Sequence, residues 1–412
     1  MSINQTRPHE RIAEIKRKAE AGPTILQHSF RPFFMAAGFW ATLAVPFWLM
    51  SYMGVLVLPA GFDGLLWHQH EMLYGFAGAA IAGFILTAIP NWTGRLPVSG
   101  WRLGLLVSFW LAGRLGFLAA ALIGPIATAV LDLSFLTTLA AMIARELISG
   151  KNWRNLPVLV LISFFTLGNW LVHFELGGIA ETAELGIRLS TFVLAILVAV
   201  IGGRIVPSFT RNWLVRSGVV ILPEPMGRFD TIALAALAIF VVAQVFVPDR
   251  QLTSYLALLA GGLHGIRLMR WKGWAIFGEP LMWVLHLGYA WLVVALMLIG
   301  LAGLTDIVPA TAAIHALTVG AFGTMILAVM TRASLGHTGR ELKATPGTTV
   351  IFVLITIAAI VRVAAPFLND QSLSAIWISG IAWTAAYGLF SVLYFPVFTQ
   401  PRVQAHQPSS TP

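Results

Sequence analysis

The 412-residue chain contains no cysteine. That absence removes disulfides, thiolate copper sites and cysteine-ligated iron–sulfur clusters, so any bound metal must use histidine, methionine or carboxylate. Charge is nearly as scarce, at 10% of residues against roughly a quarter in soluble domains. The first 30 residues lack an apolar core of signal-peptide type and read as a retained segment. Within them Ile12, Ile15 and Ala19 beside Arg11, Lys16, Arg17 and Lys18 suit either a short helix on an anionic leaflet or a solvated tail. The residues after Phe398 are rich in Pro, Ser and Gln and read as a disordered tail.

What the chain does have is apolar length. Hydrophobic residues make up 58% and mean hydropathy is +0.82. Runs long enough to cross a hydrocarbon core of about 30 Å recur from Phe33 onward. They predict helices near 33 to 57, 66 to 89, 103 to 123, 125 to 148, 156 to 177, 185 to 206, 229 to 248, 252 to 270, 279 to 302, 309 to 331, 347 to 368 and 373 to 397. The expected fold is therefore an all-α polytopic membrane bundle of about twelve helices. One transmembrane domain, 31 to 398, lies between cytoplasmic segments 1 to 30 and 399 to 412.

Lys and Arg are retained on the cytoplasmic side of a membrane, which tests the count independently. With the N-terminus inside, all but four of the 26 basic residues fall in the cytoplasmic loops or ends. The exceptions are Arg188 and Arg250 at the outer face, and Arg114 and Arg362 within the third and eleventh helices. A wrong helix count would scramble this alternation. The net charge of +9 is then topology, and no nucleic-acid partner is implied.

Of ten histidines, His68, His70, His173, His264, His286, His315 and His337 lie in or beside helices. Ionisable groups in a bilayer are costly and face the bundle interior. One such imidazole bonded to a carbonyl is unremarkable; seven suggest sites. Counting along the helices puts His68, His70, His173 and His315 near the outer face, and His264, His286 and His337 roughly 15 to 20 Å below at the helical rise. On the second helix His68 shares a face with Glu71, while His70 points about 200° away, above Tyr74.

An internal repeat is the sharpest signal. His70, Gly75, Gly78 and Thr93-Gly94-Arg95 recur in the same register as His315, Gly320, Gly323 and Thr338-Gly339-Arg340. Small residues spaced three apart let a helix or a flat macrocycle approach closely, although membrane helices carry such glycines for packing alone. Two imidazoles at matched depth are what six-coordinate haem takes as axial ligands. His70 and His315 are therefore the expected pair for a haem, of b type. Arg114 and Arg362 would serve its propionates, with Asp132 an equally good partner for Arg114. Copper or zinc would suit His264, His286 and His337, or else His68 and His173 with Glu71, and copper is the easier metal to justify beside haem. Met72, Met282 and Met330 could soften such a site, although methionine in an apolar helix is usually filler.

Longer motifs carry a resemblance. Trp67-His68-Gln69-His70-Glu71-Met72 leads into Ile89-Pro90-Asn91-Trp92-Thr93-Gly94-Arg95. Gly202-Gly203-Arg204 follows with Pro207-Ser208-Phe209-Thr210-Arg211-Asn212, then His315-Ala316-Leu317-Thr318 through Met330-Thr331-Arg332 to Leu335-Gly336-His337-Thr338-Gly339-Arg340. With Arg31-Pro32-Phe33-Phe34 near the start, most of the chain resembles the NnrS family. The resemblance implies a haem- and copper-containing protein of the bacterial inner membrane, linked to denitrification and to the nitric oxide response. It implies that nitric oxide is bound or handled and nitrosative stress relieved. It assigns no ligand to either metal, no electron donor and no catalysed reaction.

Two other classes fit in part. A secondary transporter also has about twelve helices and internal repeats, but its usual midplane acidic residues and broken helices are not evident. A nitric oxide reductase or quinol oxidase carries haem ligands on its second and tenth helices. Its metal cluster needs histidines on the sixth and seventh, and residues 185 to 248 contain none.

Overall fold

The structure is a computed structural model that describes residues 22–247 and 249–403. The expected surface helix around Ile12, Ile15 and Ala19, and the tail beyond 403, lie outside the described residues. Among the described residues twelve long helices run back and forth: α1 Phe30–Tyr52, α2 Gly64–Thr93, α3 Trp101–Leu118, α4 Pro125–Ser149, α5 Leu156–Leu176, α6 Ala183–Arg216, α7 Arg228–Phe246, α8 Arg250–Met269, α9 Pro280–Leu304, α10 Ala310–His337, α11 Pro346–Ala364 and α12 Ser372–Thr399.

Eleven of them are long and apolar enough to cross a membrane. The exception, α8, stands where a span is expected but is diluted by Arg250, Gln251, His264 and Arg267. Two of those groups are turned inward. Arg267 donates to Asp230 on α7 (2.8 Å), to the Ala199 carbonyl on α6 (3.0 Å) and to the Tyr289 hydroxyl on α9 (2.8 Å). His264 meets the same hydroxyl at 2.7 Å and the Ala233 carbonyl at 3.1 Å. α8 can thus remain polar in sequence while its apolar remainder faces outward. Gly203 makes room for the knot, because a Cβ there would lie 2.1 Å from an Arg267 nitrogen.

Helix starts follow local chemistry. Pro125, Pro280 and Pro346 open α4, α9 and α11, where a missing N–H costs nothing. The Asp249 carboxylate caps α8 by accepting from the Gln251 and Leu252 amides, each at 3.0 Å. The ends of the bundle close on each other. Arg31 at the start of α1 donates to the carbonyls of Val397, Phe398 and Gln400 at the end of α12. An even number of passes is what returns the chain to its starting face.

The sequence repeat is also a backbone repeat. Directly after His70 and directly after His315 the α-helix widens into π-helical turns, Glu71–Ala77 and Ala316–Gly323. Such turns leave carbonyls unpaired along the helix, and a hydrocarbon surrounding demands that they be paired elsewhere. Trp110 on α3 donates to the Gly75 carbonyl at 2.9 Å, and Tyr387 on α12 to the Gly323 carbonyl at 2.8 Å. The Thr-Gly-Arg tail of each copy ends its helix, with Gly94 (φ 69°) and Gly339 (φ 71°) in the left-handed region that favours glycine.

α5 and α6 cross at their closest on Gly168 and Gly186. A Cβ on Gly186 would fall 2.4 Å from the Gly168 carbonyl oxygen. We expect Gly186→Val to force these helices apart, at a cost of about 1–3 kcal/mol for overpacking. Thermal unfolding in detergent should show a lower midpoint than wild type. An unchanged midpoint would mean that the crossing is not tight in solution.

Candidate functional site

Two sites occupy the end of the bundle where α2, α6, α8 and α10 begin. The first is a cavity of about 550 Å³ with a largely apolar wall. His68 on α2 and His315 on α10 both line it. The His315 Nδ1 meets the Thr311 carbonyl at 2.7 Å; this contact fixes that nitrogen as the donor and leaves Nε2 with its lone pair free. The His68 ring stacks on Trp48 of α1 at a centroid distance of 4.2 Å. Among the described residues nothing hydrogen-bonds to its buried Nδ1. Arg188, Arg250 and Arg362 also line the cavity, with Glu184 and Arg250 exposed at its mouth.

The second site is a fully buried ionic cluster built by α2, α3, α4 and α5. Arg114 on α3 donates to Glu71 Oε1 at 2.5 Å and, from its other terminal nitrogen, to Asp132 Oδ1. His70 stands between the same acids, with Nδ1 3.1 Å from Glu71 Oε1 and Nε2 3.1 Å from Asp132 Oδ2. Asn169 holds both, its oxygen 2.9 Å from His70 Nε2 and its amide donating to Asp132 Oδ2 at 2.8 Å. His173 Nε2 reaches Asp132 Oδ2 at 2.9 Å, and Phe117 stacks on the His70 ring at 3.5 Å.

Both nitrogens of His70 face carboxylates, which accept and do not donate. Two carboxylates against one arginine would carry a formal charge of −1, which one further proton or a bound cation would neutralise. His70, Asp132 and His173 each offer a ligand atom within 4.8 Å of the others, a group able to hold a metal ion.

Residues 24–402 match the protein family described as NnrS protein. The chain belongs to the NnrS family. A comparison with curated proteins gives no match. At family level this makes the chain a membrane protein of the nitric oxide response.

The segment Trp67-His68-Gln69-His70-Glu71-Met72 feeds both sites. His68 and Met72 line the cavity, while His70 and Glu71 enter the cluster. The expected axial pair of His70 and His315 is not brought together. Both His70 nitrogens are taken by Glu71, Asp132 and Asn169, and it is His68 that shares the cavity with His315. In the repeat register the α10 counterpart of His68 is Ala313, so the cavity pairs histidines that are not equivalent in sequence. Arg114 has Asp132 and Glu71 as partners, and Arg362 lines the cavity.

Three of the four repeat glycines are filled by indoles of neighbouring helices. Gly75 lies against Trp40, Gly320 against Trp291 and Gly323 against Trp383, while Gly78 makes an ordinary contact with Phe135. Packing accounts for them without a macrocycle. Tyr74 bonds Ser190 at 2.7 Å, away from the cavity. Neither expected copper triad is assembled. His264 is in the Arg267 knot, His286 bonds the Met282 carbonyl (3.1 Å) and His337 stacks on Phe30. Of the outer set, His173 and Glu71 meet in the cluster but His68 does not.

Reasoning from the sequence left Asn169, Trp48, Arg188 and Arg250 without a site role. For the two arginines a signal existed. The four basic residues that the inside bias leaves over, Arg114, Arg188, Arg250 and Arg362, all lie at these sites.

Removing Arg114 strands two buried acids. We expect Arg114→Met to destabilise the protein by about 3–5 kcal/mol, the cost of breaking a buried ion pair from one side. Arg114→Lys should rescue little, because one ammonium cannot bridge both carboxylates in the fork geometry. Thermal unfolding of the two variants beside wild type checks this; wild-type behaviour of the lysine variant would refute the bridging role.

Proposed function

We propose that this NnrS family member is a haem- and copper-binding protein of the bacterial inner membrane that binds nitric oxide and thereby limits nitrosative stress. One observation carries the haem part: two imidazoles, each with an unbonded ring nitrogen, line a single cavity of about 550 Å³. That volume lies in the ordinary range for a buried cofactor. The donor set fits. His68 and His315 would hold the iron, and Arg188, Arg250 and Arg362 would receive the carboxylate side chains of the group. A haem held there would supply an iron centre with affinity for nitric oxide.

The chain's own part is positioning and exclusion. Thr311 holds the His315 tautomer, Trp48 holds the plane of the His68 ring, and the apolar wall limits competing water. Copper would take His70, Asp132 and His173, with Asn169 beside them, in place of the extra proton of the cluster; a metal prefers such imidazole donors when thiolate is lacking. The basic loops face the cytoplasm in this reading, so the cavity opens on the opposite side.

The test is the visible spectrum and metal content of the protein purified in detergent, with nitric oxide then added. We expect a Soret band that shifts with nitric oxide. It should be lost in both His68→Ala and His315→Ala but kept in His70→Ala. Copper should be lost from His173→Ala while the haem stays. Colourless wild type would end the haem reading, and loss of the band in His70→Ala with retention in His68→Ala would restore the repeat-related pair. Copper that survives both His173→Ala and Asp132→Ala would have to sit elsewhere.

A further inference from the structure

A second, smaller void lies directly beneath the floor of the cavity, around the middle of α2, α6 and α10. Its volume is about 70 Å³ and every residue lining it is apolar. The two spaces share Leu194, and the three helices pass from one to the other in consecutive turns. On α2, Phe76 and Ala77 line the cavity, and Ala80 and Ile81 line the void. On α10, Phe322 is followed one turn later by Met325 and Ile326, and on α6 Leu194 is followed by Leu197 and Val198. A single layer of side chains divides them.

The size of this void limits its occupant. A water needs about 10–15 Å³ of such space and two or more polar partners, so a void of this lining stays dry while having room for a very small apolar molecule. Three of its lining residues, Phe84, Ile201 and Val329, are only partly buried, so the space reaches the outer surface of the helices at the depth where lipid chains lie.

We propose that this void binds a small uncharged diatomic gas and is the route by which such a gas, dissolved in the bilayer, reaches the cavity from the side. The proposal rests on the reading of the cavity as the site where that gas is bound. Its chemistry is plain partition. An uncharged diatomic gas prefers hydrocarbon to water, and the charged mouth formed by Glu184, Arg188 and Arg250 offers it nothing. The void adds no polar partner and no bond; it raises the local concentration one layer from the histidines.

Xenon tests the void without reference to any cofactor. Crystals of the full chain pressurised with xenon should show it between Ala80, Leu197 and Met325. Ala80→Phe should expel it, with Val198→Phe as a second filling variant from the opposite wall should the first fail to fold. Filling should also slow nitric oxide association, followed after flash photolysis, several-fold, while the resting absorption spectrum stays that of wild type. Absence of xenon from this position in wild type would overturn the proposal. So would xenon present but an association rate unchanged in the filled variants. If the protein proves colourless the cavity reading fails alone, and xenon occupancy still upholds or overturns the void as a gas site.

Discussion

A carboxylate surrounded by hydrocarbon keeps its charge only if partners inside the protein replace the water it has lost. Glu71 and Asp132 are both wholly buried, and each is met by the guanidinium of Arg114 and by a nitrogen of His70. These bonds draw α2, α3 and α4 to one point, and Asn169 and His173 add α5. Because the cluster claims His70 and Glu71, it also fixes the rotation of α2 about its axis. His68 is thereby turned to the opposite side, into the cavity. The ionic site and the apolar one are two faces of a single helix orientation.

A comparable knot holds the next four helices at the other end. Arg267 ties α6, α7, α8 and α9 through Asp230, the Ala199 carbonyl and Tyr289. Trp383 donates to the Ala41 carbonyl at 3.0 Å, joining α12 to α1, and Arg31 closes the ring from below. The helices α2 to α5 and α6 to α9 thus each gather on a desolvated polar anchor, and the cavity lies between α1, α2, α6, α8, α9, α10 and α12. Polar anchors suit this setting, because lipid gives no hydrophobic drive for helices to associate.

The helices were legible because hydropathy and the side bias of Lys and Arg report on each segment separately. α8 shows the value of the second signal, since its composition alone falls short of a span. The opposed directions of His68 and His70 were also legible from helical geometry. What the order of residues could not supply was which direction led to which neighbour. That depends on Asp132 and Asn169, 62 and 99 positions along the chain from His70, and no local pattern records such a contact. The repeat misled on ligands for a related reason. Its matched positions mark where two backbones widen and where tryptophans pack against glycine, and that constraint carries no information on which imidazole faces a shared space.

The widened turns after His70 and His315 have a consequence for how this architecture tolerates change. A π turn holds one residue more than the α turn it replaces. Loss of a single residue from Glu71–Ala77 would let the helix relax to regular winding with His68 and His70 still facing as before, because the wide turn takes up its extra residue within the same rotation. What would go is the unpaired carbonyl that Trp110 now meets at Gly75. The same loss in the regular winding on either side would rotate everything before it by about 100°, one residue's turn. These two short stretches thus act as slack in the winding, and single-residue deletions should be milder inside them than beside them.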